Sequence, residues 1–158
     1  SGTKAGVSAF QAACSGRVAL CGHLAPTGSR SYEPATLAVP ETVFARIEGG
    51  RITGFDGPES LVAAIRAHHA HVAARFGIAA DAVHSWHAGI HDGCDAPCRA
   101  EDDPDLWTNS VFGSPEYLHF HTCGDYPPGE ICWMVARPTV TADGRDIWRD
   151  GRLLPDGP

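Results

Sequence analysis

Two short stretches of this chain place imidazoles where a metal ion could be held. In Ser85-Trp86-His87-Ala88-Gly89-Ile90-His91, an extended backbone sends Trp86, Ala88 and Ile90 to one face and His87, Gly89 and His91 to the other. In Tyr117-Leu118-His119-Phe120-His121-Thr122, Leu118 and Phe120 share a face and His119 and His121 take the opposite one. The same arrangement occurs twice: apolar residues toward a core and an imidazole pair away from it. Residues i and i+2 on one strand face stand ~7 Å apart, close enough for the rings to lean onto one ion. If the two strands are neighbours, four imidazoles from His87, His91, His119 and His121 converge. Gly89 leaves space for a ligand or for close approach of another backbone.

Carboxylates stand nearby. Asp125 follows His121 by four residues in a turn rich in Gly and Pro, and Glu130 follows that turn. Three histidines with open positions, or two histidines and a carboxylate, suit Fe(II) or catalytic Zn(II). In such a site Asp125 or Glu130 would serve as ligand or general base, and His84 would orient a ligand or carry a proton. Trp86, Trp107 and Tyr126 are candidates for the wall of a substrate pocket. Against this stands the plainer fact that a lone histidine on a strand is more often a structural hydrogen-bonding residue. The paired, same-face repetition is what favours metal. His68, His69 and His71 have no such pattern and read as solvated or core-edge residues of a helix. Cys94 and Cys98 read as two thiols in a reducing cytosol, with metal or disulfide use as the alternative.

The elements that must position these residues follow from hydrophobic spacing and turn chemistry. Residues 16–22 read as a short buried strand and 23–41 as loop. Residues 42–55 read as a hairpin turning at Gly49-Gly50. Pro58 and Glu59 open a helix whose Leu61, Ile65, Val72 and Phe76 form one stripe, with Gly77 as its stop. Strands are expected at 83–91, 117–122 and 130–141, the last broken near Pro138, with a final short strand around Ile147-Trp148. Residues 92–105 read as a polar loop. The fold class expected is α+β: a mostly antiparallel sheet with one long helix packed across it, in a single domain spanning 1–158.

Composition narrows the function classes. The chain has 158 residues, 43% hydrophobic and 20% charged, which is a globular composition. Its formal net charge is −7 and Lys4 is its only lysine, so nucleic acid is not an expected partner. No apolar run approaches the ~18 residues of a membrane span. No apolar segment of the secretory type follows the start. A cytoplasmic protein acting on a small molecule is expected, as a homo-oligomer or beside a partner subunit. There is no phosphate-binding loop, dinucleotide fingerprint or nucleophile elbow.

Three stretches carry a family resemblance: Val43–Phe55, Ser85–His91 and Val111–Asp125. They resemble the C-terminal half of the aminopeptidase T proteins, a group that includes the ring-cleaving 2,5-dihydroxypyridine dioxygenases. The resemblance implies a metal enzyme, with His87 at the place of the dioxygenases' first iron ligand and Fe(II) as the expected cofactor. It also shows a departure. The late His-x-Asp pair that supplies further ligands in that group corresponds to about Ile131-Cys132-Trp133 here, where neither residue is present. Either His91, His119 and His121 take over as ligands, or the family's chemistry is lost. The expected activity is a non-haem iron oxygenase on a small aromatic substrate. The alternatives are a zinc hydrolase or a non-catalytic metal-binding subunit, this chain being one half of a larger enzyme. A weaker likeness joins Gly113, His119, His121 and Asp125 to the first cupin motif, with Asp where Glu is usual and no second motif downstream.

Overall fold

The computed structural model describes residues 14–26, 32–124, 128–142 and 144–154. Six strands form one sheet: β1 (Gly16–Ala25), β2 (Leu37–Glu48), β3 (Arg51–Asp56), β4 (Val83–Ala88), β5 (Tyr117–Cys123) and β6 (Glu130–Ala136). Their order is β3-β2-β1-β6-β5-β4, and every pairing is antiparallel. A second, small antiparallel sheet joins β7 (Val140–Ala142), β8 (Arg145–Arg149) and β9 (Arg152–Leu153). Two helices accompany them, α1 (Glu59–Phe76) and α2 (Pro104–Val111). The class is therefore α+β with a mostly antiparallel sheet, and two helices of 18 and 8 residues replace the single long one expected.

The β2–β3 hairpin turns on Gly49 and Gly50, with φ of 56° and 74°, which L side chains rarely adopt. Strands reach further than expected. His23–Ala25 continue β1, and Leu37 already opens β2. The extra residues around Pro40 are absorbed by a register shift opposite Leu20–Gly22, a bulge being one of the few places a sheet accepts proline.

Each face of the sheet has its own cover. Leu20, Leu24, Val43, Ile47, Phe120, Ile131 and Trp133 turn to one side, where Ile65 and Val72 of α1 pack with them in the main core. Pro58 stands just outside α1 as its N-cap residue rather than in its first turn, and Gly77 (φ 67°) closes it with a bond to the Ala73 carbonyl. On the opposite face Cys132 and Met134 of β6 meet Trp107 and Val111 of α2 in a smaller cluster. That second helix lies in a region expected to begin as loop. Asp103 caps it by accepting a hydrogen bond from the Leu106 N–H (3.0 Å), and Pro104 fills the first turn.

Candidate metal centre

The two histidine-bearing strands are neighbours. In the β4–β5 register Trp86 stands opposite Phe120, His87 opposite His119 and Ala88 opposite Leu118. Pairing and alternation together put His87, His119 and His121 on one face, the one that α2 covers. Trp86 and Phe120 stack on the other, with ring centres 4.3 Å apart. One donor atom from each of the three histidines lies within 4.8 Å of the other two. The ring centres form a triangle with sides of 4.8, 4.9 and 5.8 Å.

His119 holds the centre of the arrangement. Phe112, just after α2, stacks on its ring at 4.3 Å, and His87 stacks on it at 4.8 Å. Two near-parallel neighbours of one ring must occupy its two faces, so His119 is clamped between them. It is 5% exposed, and its Nδ1 is buried with no hydrogen-bond partner among the described residues. Burial first, then the nearby His87 and His121, push its pKa down to about 3. It therefore stays neutral across physiological pH, the state a metal ligand needs. His121 is also buried, at 8%, while His87 is exposed.

This constellation fits a divalent transition metal. A buried imidazole nitrogen without a partner is costly in a finished core, and coordination removes that cost. Tetrahedral coordination at ~2.0–2.1 Å needs donors roughly 3.3 Å apart, closer than the 4.8 Å within which these three lie, so binding an ion would draw the rings together.

The remaining expected residues are distributed differently. His91 is not in the triad. β4 ends at Ala88, and His91 stands on the following loop, where its Nδ1 accepts the Gly93 N–H at 3.0 Å. Of the four imidazoles expected to converge, the structure brings three together, because strand alternation holds only while the ladder lasts. His84 sits at an irregularity of β4, where one extra residue between Val83 and Trp86 interrupts the register. Its Nε2 bonds the Cys123 carbonyl at 2.9 Å. Glu130 opens β6 opposite Cys123 and is 1% exposed, outside the group of three donors. Asp125 and Tyr126 lie outside the described residues. Trp86 faces the α1 side of the sheet, so it does not wall the triad. Trp107 lies on the triad side, edge-on to His23 and Tyr117.

Phe112 has no role in the sequence reading, and its signal was weak: an aromatic two residues before Ser114 in a stretch to which no element was assigned. His69 was also undervalued. It is buried in the α1 core, where Trp133 Nε1–H donates to its Nε2 at 3.0 Å and its Nδ1–H donates to the Ala80 carbonyl at 2.8 Å. Comparison with protein-family models, characterised proteins and solved structures finds no match. No helix among the described residues is long and apolar enough to cross a membrane.

Proposed function

We propose that this protein is a mononuclear metal enzyme whose ion is held by His87, His119 and His121. The observation that carries the reading is the convergence of three imidazole donors, one of them from His119, whose buried Nδ1 has no partner among the described residues. Three imidazoles with open remaining positions are a ligand set of catalytic zinc, so a zinc-dependent hydrolytic centre is the reading this geometry favours. A metal bound there supplies Lewis acidity, by which such centres activate water and polarise substrate oxygens.

The chain's own residues have separable roles in that reading. His119 and His121 are fixed by burial and stacking and provide the rigid part of the site. His87, on the edge strand and exposed, leaves the approach from solvent open. Phe112 holds the His119 ring and keeps water from its face. Glu130, buried at the start of β6, and Asp125, four residues after His121 in the sequence, are the carboxylates considered for a general base.

A second reading is a non-haem iron oxygenase acting on a small aromatic molecule. It is favoured by the membership in the triad of His87, the residue that the resemblance to ring-cleaving dioxygenases singles out. Loading the purified chain separately with Zn(II) and Fe(II) separates the two. Ester or peptide hydrolysis by the zinc form alone is the expected result. Oxygen uptake on adding a catechol or hydroxypyridine to the iron form would establish the second reading in its place. Turnover by neither form, with metal bound, would leave a metal-binding subunit without its own catalysis and refute both.

A further inference from the structure

Across the sheet from the triad, β1 and β6 do not stay paired. They hold register only over Gly22–Ala25 and Cys132–Val135. Beyond that point Arg17–Cys21 continue along β2, while the other chain turns away after Ala136 through Arg137, whose φ is 47°. The splayed strands leave a cleft of about 520 Å³, walled by apolar side chains that include Trp86, Leu118, Val135 and Val140. That volume is in the range of small-molecule sites.

Two arginines give the cleft a chemical preference. Arg17 and Arg137 both line the cleft, and neither has a carboxylate partner among the described residues. Arg17 instead lies over the Phe44 ring, 3.7 Å from its centre. An apolar cleft with two uncompensated guanidiniums on its lining suits a flat apolar body carrying one anionic oxygen pair. We propose that this cleft is a second binding site, distinct from the metal centre, for a small aromatic carboxylate. The ring would lie against Trp86, Leu118 and Val135, and the carboxylate would meet the guanidiniums, which match it in charge and in planar geometry.

The test is calorimetric titration of the full chain with naphthoate and with neutral naphthylmethanol, in excess EDTA so that no metal takes part. Naphthoate is expected to bind once per chain with sub-millimolar affinity, and the alcohol about tenfold more weakly. Arg137→Gln should bring the two ligands together in affinity. Val140→Trp, which fills the cleft from its rim, should abolish binding while circular dichroism remains native. The proposal is overturned by no heat with naphthoate, by equal affinity of the wild type for the alcohol, or by unchanged binding to Val140→Trp. It is also overturned if the cleft is closed by a second copy, seen as a dimer that Val140→Trp makes monomeric. Because the titration is metal-free, its failure leaves the triad untouched, and failure of the triad to bind metal leaves this site untouched.

Discussion

Gly89 shows how tightly the triad is built at the level of single residues. A Cβ added there would overlap the backbone of Gly113 and Ser114, and the same junction carries the His91 N–H to Gly113 carbonyl bond at 2.9 Å. The loop that leaves β4 two residues after His87 is thus pressed against the segment that carries Phe112. Neither backbone can give way without moving one wall of the site. Gly89→Ala is expected to lower stability by about 1–3 kcal/mol, the usual penalty for overpacking. Chemical denaturation would measure it, and an unchanged midpoint would show that the two loops do not press on each other. The sequence allowed two uses for this glycine, ligand space or backbone approach, and the structure has the second. His87, His119 and His121 were legible because alternation on a paired strand is a strict geometric rule. His91 was misread because the same rule was carried past Ala88, where the ladder ends.

At the scale of elements, the α1 histidines connect packing to pH. His68 and His69 are 5% and 4% exposed, and burial, their largest influence, lowers the pKa of each to about 4. A folded-state pKa below the unfolded value of about 6.5 means that the unfolded chain binds protons first as pH falls. Stability is therefore complete above pH 6.5 and is lost progressively between pH 6.5 and 4. For His69 the shift is equivalent to about 3 kcal/mol. Urea midpoints measured from pH 7 to 4 should fall steeply. His69→Gln should be less stable at pH 7, where Trp133 loses its acceptor, and should show a shallower decline. Parallel profiles for the two proteins would contradict the assignment. Helix α1 could be read from its stripe and its Gly77 stop. Helix α2 had signals too, an Asp103-Pro104 start and a Trp107–Val111 spacing of four, but eight residues in polar company did not stand out. The loop reading of 23–41 failed at its two ends, where His23–Ala25 belong to β1 and residues 37–41 to β2: Pro40 and its neighbours sit in a strand that tolerates them through a bulge.

At the scale of the molecule, a single antiparallel sheet separates two environments. One face buries the apolar core beneath α1. The other is polar enough to hold three histidines yet covered enough, by α2 and Phe112, to keep two of them out of water. The class of fold was legible because period-2 alternation and turn glycines are local properties. Strand order was not, since it depends on which edges meet, and the meeting of β4 with β5 is the event that makes a site of the histidines. Mass spectrometry of native protein, expressed without a metal-affinity tag, tests that convergence most directly. The wild type is expected to retain one transition-metal ion per chain. His87→Ala, His119→Ala and His121→Ala should each lose it, and His91→Ala and His71→Ala should keep it. Retention by all five variants, or by none of them and not by the wild type, would contradict a metal centre at this triad.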